Sequence, residues 1–468
     1  MKPLLRKTYA KRMKNGKSGI WLHHLVCETA GLVEKQPVYV SVRENEIVLQ
    51  NNPIDEHDHI IHVVGRESKT SKKVRPLIDT AGDRYESILS LTDKVEIIVQ
   101  KQGDLSQIIV RPLQFRLMET ETLESLNDER IRVVSAFAGC GVGTSALMST
   151  GFFTPVMEIE YEDDSAEVLK HNYPHSLLYN GDAKDCHGVM KADVCLVTAP
   201  CNESSSLGFQ AGNVINSLAI ATAKIIRSSQ ADVVFFENVP QWYKTDEWLL
   251  LKDLLKDDYP FFTQKQLEAW DFGSVATRKR TYCIAFKEEE MFANFQWPKV
   301  PNLRRRKLKD FLDGKHVQHE WKSLETWMTN FQDRGSSWKD RSLDKTFVDE
   351  EVKEIQCIPR RYRGQSASST YILSEDKTSW RFLSIDEIRR ILGVPSWFEF
   401  PEHTPMTRIY EMLGQSVSCQ VISAIGNKIA ECFVRKSFQK VSELVATVKD
   451  KISEAVQEND NGQLQLVI

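Results

Sequence analysis

The chain has 468 residues, 41% of them hydrophobic and 27% charged, with a formal net charge of -4. That composition fits a globular protein of two or three domains and excludes a disordered chain or a uniformly basic nucleic-acid coat. Nine cysteines without a CxxC pair or Cys/His cluster at zinc spacing exclude a disulfide framework and a structural metal, and no apolar run is long enough to span a bilayer. No hydrophobic signal region follows the basic N-terminus, so a cytoplasmic protein is expected, or a nuclear one in a eukaryote.

The first twenty residues carry seven Lys or Arg (Lys2, Arg6, Lys7, Lys11, Arg12, Lys14, Lys17) and no acid. Such a run reads as a basic arm over 1–20, either a solvated tail or a nucleic-acid contact. From Trp21 onward the pattern changes to short β-like pieces: Val38 to Val42, Glu46 to Leu49, His59 to Val64, Lys94 to Gln100 and Gln107 to Val110. They predict a small β-rich accessory domain over 21–115. A polar stretch free of Gly and Pro then predicts a connector over 116–130.

Beyond it, apolar runs alternate with stretches of helical period. Arg132 to Phe137, Pro155 to Ile159, Ser176 to Tyr179, Val194 to Val197, Val233 to Phe236 and Tyr282 to Phe286 read as buried strands. Ser165 to Asn172, Ile215 to Ser228 and Trp248 to Lys256 read as helices. The alternation predicts a doubly wound α/β domain over 131–291 and 380–440. Between its two parts, 292–379 loses the rhythm and carries two basic runs, Arg304 to Lys307 and Arg360 to Gln365. A C-terminal helix and tail follow over 441–468.

Chemistry gathers at the strand ends. Phe137-Ala138-Gly139-Cys140-Gly141 follows the first strand of the α/β domain, where glycines let backbone approach a nucleotide-like ligand. The second strand ends near Glu158 and Glu160, acids placed for ribose hydroxyls, with Ile159 to lie against a flat base. Asp182 after the third strand offers an acceptor for an adenine amino group. No Lys-Ser/Thr phosphate loop accompanies them, which suits a nucleoside-bearing sulfonium better than a triphosphate. Pro200-Cys201 ends the fourth strand and Glu237-Asn238 the fifth, a thiol beside a carboxylate suited to covalent attack on a ring that the carboxylate protonates. Arg278 and Arg280 are candidates to lower the thiol's pKa.

In order along the chain stand FAGCG, APCNESS, ENVP, the Arg278-Lys279-Arg280 triplet, RFLSIDE with Gly393-Val394-Pro395, and Gly414-Gln415-Ser416-Val417. Together they resemble the DNA cytosine-5 methyltransferase family over about residues 130 to 435. The resemblance implies a class I S-adenosylmethionine-dependent methyltransferase sheet. It implies the cofactor held by Phe137, Gly139, Gly141, Glu158, Ile159, Asp182, Pro200 and Ser416. Cys201 would attack C6 of a flipped cytosine, Glu237 would hold and protonate N3, and Arg278 and Arg280 would brace the base. The 292–379 stretch occupies the place of the target-recognition region, where Arg360, Arg361, Arg363 and Gln365, with Asn238, are the expected DNA contacts.

The sequence departs from the family pattern at Asn202, Ser204 and Ser205 after the cysteine, at Val275-Ala276, at Gln415 and at Ser135. Residues 21 to 49 are similar to AbrB-like or SymE-like DNA-binding modules, and a plain docking or dimerisation domain is the other reading. The resemblance implies double-stranded DNA as partner, a cognate restriction endonuclease beside it, no membrane, and a monomer or a dimer formed through the N-terminal domain. Restriction-modification or phage defence would be its setting. RNA cytosine-5 methylation and a weakly active DNA-binding regulator on the same fold are the alternatives.

Overall fold

A computed structural model describes residues 2–14, 16–53, 58–67, 72–113, 121–124, 128–200, 218–314, 316–332, 343–458 and 464–466. The strands of its main sheet are, in chain order, β1 (Lys2–Ala10), β2 (Pro37–Val42), β3 (Ile47–Gln50), β4 (His59–His62), β5 (Lys94–Gln102), β6 (Leu105–Pro112), β7 (Ile131–Ala136), β8 (Phe153–Glu160), β9 (Leu177–Asn180), β10 (Val194–Val197), β11 (Val233–Asn238), β12 (Phe261–Glu268) and β13 (Lys279–Phe286). They lie in the order β12-β13-β11-β10-β7-β8-β9-β1-β5-β6-β3-β2-β4.

From β9 to β11 the neighbours are parallel, and β13 closes this half antiparallel to β11. These strands are continuous apolar runs because both sheet faces are covered. Val194 and Leu196 enter one core, whereas Cys195 and Val197 enter the other. The helices α1 (Val142–Met148), α2 (Asp163–Asn172), α3 (Leu218–Ser229) and α4 (Asp246–Leu255) follow β7, β8, β10 and β11. The chain runs outward from β7 through β8 and β9 on one side and returns through β10 and β11 on the other. This is the predicted doubly wound sheet, and its switch point between β7 and β10 opens a crevice at the strands' carboxyl ends.

Residues 2–10 correct the basic-arm reading. They form β1, parallel to β9 and antiparallel to β5, so the N-terminal strands continue the α/β sheet. Leu5 is fully buried, and Arg6 and Lys7 are buried with acidic partners from elsewhere in the chain, Glu96 and Asp163. Those acids are distant in sequence, so the cations looked unpaired there. A second sheet, Arg12–Lys14, Lys17–Leu22, Val74–Ala81 and Val64–Glu67, packs beside it. Within the connector, Glu121–Leu123 pairs with Gly188–Met190.

The 292–379 stretch is more ordered than its sequence suggests. Strands of two or three residues, Lys322–Ser323, Phe347–Val348, Tyr371–Leu373 and Ser379–Arg381, make a small sheet around Trp327, Phe347, Tyr371 and Trp380. Such strands are too short to show a period. The run Arg304 to Lys307 is bound to the body: Arg305 lies 3.4 Å from the centre of the Trp270 ring and pairs with Asp271, and Arg306 lies over Phe311.

Helices α5 (Ile385–Leu392), α6 (Met406–Gln415) and α7 (Cys419–Ala455) complete the fold. Ser384 caps α5, accepting from the Glu387 N–H, while the Glu387 carboxylate accepts from the Ser384 N–H. The same carboxylate takes two bonds from the buried Arg381 guanidinium, which ties the end of the small sheet to this helix. No helix among the described residues is long and apolar enough to cross a membrane.

Candidate active site

The crevice is a cavity of about 750 Å³ floored by the ends of β7 to β11 and roofed by Cys357 to Arg360 and Gly414 to Val417. That volume lies in the range of roughly 300–1,000 Å³ usual for small-molecule sites.

On the β7–β9 side the chain turns sharply after β7. Phe137 takes φ +59°, a left-handed conformation rare for a bulky residue, and the Thr198 hydroxyl donates to its carbonyl at 2.8 Å. Gly141 takes φ +91°, and a Cβ there would come within 2.5 Å of the Tyr173 ring. It lets the turn pack onto Tyr173, whose hydroxyl donates to the Gly141 carbonyl, and it does not line the cavity. Gly139 does, and its N–H donates to Glu160 at 2.8 Å.

The acid of this half is Glu160, which corrects Glu158. Glu158 lies two residues back on the same face, under α1, where the Thr144 hydroxyl donates to it at 3.1 Å. Burial pushes its carboxyl up to about 8, so it is mostly neutral at pH 7. Glu160 reaches the cavity; burial raises its pKa against the opposing hydrogen bonds from the N–H groups of Glu162 and Gly139. Tyr161, which sequence reasoning missed, stands at the rim 71% exposed, whereas Ile159 is buried beneath. The signal was present: an aromatic directly after the last acid of the strand. Asp182 lines the wall and accepts from the Lys184 N–H. Pro200 and Ser416 face the same space.

On the β10–β11 side, Glu237 is 7% exposed, with Arg280 Nε 3.3 Å from its carboxylate. Burial pushes its pKa up, while Arg280 and Arg278 pull it down. Arg278 is buried and donates to the Gly414 carbonyl at 3.2 Å, the Ile358 carbonyl at 3.3 Å and Cys357 Sγ at 3.4 Å. Asn238 is also buried. Its amide donates to the Ala199 carbonyl at 2.9 Å and its carbonyl accepts from the Val239 N–H, so it pins the backbone before Pro200 while lining the cavity. Cys201, with Asn202, Ser204 and Ser205, lies outside the described residues.

The recognition-region arginines separate. Arg360 lines the cavity and pairs with Glu162 at 3.1 Å, beside Arg408 on the same carboxylate. Arg363 lies over the Phe382 and Tyr410 rings, at 4.4 and 5.2 Å. Arg361 is exposed and Gln365 half-buried. Of the four residues expected to contact DNA here, Arg360 and Arg363 are therefore engaged within the protein. The roof itself is locked down: Ile355 pairs in parallel with Ala276, and a Cβ on Gly414 would lie 2.2 Å from the Pro359 carbonyl.

The C-5 cytosine-specific DNA methylase family model matches residues 131–431. The chain is 25% identical over 318 residues to the Type II methyltransferase M.Bsp6I of Bacillus sp. (strain RFL6), across 64% of this chain and 98% of that protein. It is 28% identical to the Type II methyltransferase M.HhaI of Haemophilus parahaemolyticus, across 64% and 94%. A solved DNMT2 variant of Spodoptera frugiperda matches 64% of this chain and 99% of its own at 16% identity, with a TM-score of 0.50. That likeness shows the fold, a class I methyltransferase sheet.

Proposed function

The chain belongs to the C-5 cytosine-specific DNA methylase family, and we propose that it moves a methyl group from S-adenosylmethionine to C5 of a cytosine flipped out of duplex DNA. The observation that carries this reading is Glu237, a buried carboxyl with a raised pKa, braced by Arg280 at the end of β11, in one cavity with the turn after β7. The cofactor, when bound, supplies a methyl on a positively charged sulfur.

The residues present fit that cofactor. Glu160 offers its carboxylate to the ribose hydroxyls, Tyr161 a flat face to the adenine ring, Asp182 an acceptor to the adenine amine, and Phe137, Gly139, Pro200 and Ser416 the walls. Arg360 closes the rim through Glu162.

In the base half, Cys201 is the nucleophile. Its thiolate forms a bond to C6 of cytosine, the C5–C6 π electrons move toward C5, and Glu237 delivers a proton to N3 so that the ring accepts the added electron pair. Once C5 carries the methyl group, the donor being left as a neutral thioether, C5 loses its proton to a base, the C6–S bond breaks to return the thiolate, and N3 gives its proton back to Glu237. Arg280 holds Glu237 in place, and Arg278 fixes the roof over the base. Asn238 holds the Ala199 carbonyl, two residues before Cys201. Extracting the base costs about a few kcal/mol of stacking, which DNA contacts from the recognition region, Arg361 among them, offset. In this reading the N-terminal module also helps to hold DNA, although Lys14 and Lys17 of its hairpin are paired with Asp79 and Asp83. Restriction-modification with a cognate endonuclease, or phage defence, is the setting this reading gives the enzyme.

Incubation with tritiated S-adenosylmethionine and either duplex DNA of mixed sequence or tRNA tests the reading. Label is expected on DNA. Label on tRNA alone would establish RNA methylation instead, and label on neither would leave a DNA-binding regulator.

A further inference from the structure

Resting on the cofactor reading above, we propose that Lys7, contributed by the N-terminal strand outside the matched family region, is a positioning residue for the cofactor loops. Lys7 is 2% exposed. In the parallel pairing of β1 with β9 it lies opposite Asn180, the last residue of β9. Its ammonium donates to Asp163 Oδ1 at 2.5 Å and to the Asn180 side-chain oxygen, and it lies over the Tyr9 ring at 4.8 Å from its centre.

Both partners lead into the cavity. The Asn180 amide donates to the carbonyls of Glu160 and Tyr161, at 3.2 Å each. Asp163 opens α2, directly after the Glu160-Tyr161-Glu162 turn. Gly181 and Asp182 follow Asn180 and line the same wall. One ammonium thus fastens the loop after β8 to the loop after β9. These two loops carry the groups assigned to the ribose and the adenine.

A buried ammonium is retained only where hydrogen-bonding partners replace its water, and here the partners are loop residues whose position the cofactor would read. An uncharged side chain of similar length would fill the space while leaving Asn180 and Asp163 without their shared donor. The Asn180 amide, which bonds the Glu160 and Tyr161 carbonyls, would then lose the donor that holds its oxygen, and the start of α2 its tie to β1, whereas Glu237, Arg280 and Arg278 stand across the sheet on β11, β13 and the turn before it. The consequence is a selective one: cofactor binding suffers and the chemistry does not.

The test uses the full chain and S-adenosylmethionine. For Lys7→Met the dissociation constant measured without DNA, and the KM for S-adenosylmethionine, are expected to rise on the order of tenfold or more, as small misplacements of binding groups do. The kcat at saturating cofactor and the KM for DNA should stay within about twofold, and Lys7→Arg should recover part of the affinity. Asp163→Asn, at a side chain half exposed and so tolerant of change, should weaken cofactor binding and add little to Lys7→Met. Wild-type cofactor affinity in Lys7→Met would overturn the proposal, as would equal losses in kcat and DNA affinity. If Lys7→Met does not fold, a folded Asp163→Asn with wild-type affinity would overturn it in the same way. A wild-type chain that binds no S-adenosylmethionine would instead overturn the cofactor reading itself, and this proposal with it.

Discussion

Glu237→Ala is expected to lower kcat by about 10³-fold, within the roughly 10²–10⁴-fold that a positioned general acid contributes, while S-adenosylmethionine affinity stays at the wild-type value. The separation follows from the layout: Glu237 ends β11, on the opposite side of the switch point from Glu160 and Asp182. Its carboxyl is buried and its pKa raised, so it retains a proton to a higher pH than an exposed glutamate. Activity that depends on the protonated form declines as pH rises through that raised pKa. Glu237→Gln keeps the shape and a hydrogen-bond donor but cannot release a proton, so it should recover only part of the rate. Steady-state kinetics with a binding titration would check this. Equal losses of cofactor affinity and kcat in Glu237→Ala would remove the residue from the base half.

Deleting residues 1–113 is expected to yield an aggregated or unfolded chain, a larger effect than the weakened DNA binding that a free basic arm and a separate module would give. Removing β1 exposes the edge of β9, where Leu178 and Tyr179 are 1% exposed in the intact protein, and leaves a row of unpaired backbone groups. It also strips Arg75 from Glu167, a partly buried pair at 3.0 Å. Although burial pushes the Glu167 carboxyl up, hydrogen bonds from His403 and Arg75 hold it at about 2. Without Arg75 that charge on α2 loses a partner. Circular dichroism melting and size exclusion would decide; a soluble monomer with a cooperative melt near the wild-type Tm would show that the N-terminal module is dispensable to the sheet.

The α/β half was legible because its strands are uninterrupted apolar runs. Val194 to Val197 and Val233 to Phe236 appear within β10 and β11 where the sequence placed them. Hidden were elements whose logic is tertiary. Arg6 and Lys7 read as a solvated run because their acids stand far along the chain. Phe261 to Glu268 went unread because its Thr-Gln-Lys-Gln centre is polar, as suits the edge strand it forms. At the site, Glu158 and Glu160 stand two residues apart on one strand face, and only Glu160 lines the cavity. Period alone cannot tell the acid beneath α1 from the acid at the strand's carboxyl end. Arg360 and Arg363 looked like DNA contacts by composition, whereas their partners, Glu162 and the Phe382 and Tyr410 rings, become neighbours only in the fold.

The covalent step is the centre of the account, and duplex DNA containing 5-fluorocytosine tests it most directly. The fluorine at C5 blocks the final elimination, so the wild-type protein with S-adenosylmethionine should form a complex with the DNA that survives denaturing electrophoresis. Cys201→Ala should form none and transfer no methyl group. A wild-type enzyme that methylates ordinary DNA yet traps no fluorinated DNA, or trapping that persists in Cys201→Ala, would contradict the assignment of Cys201 as the nucleophile.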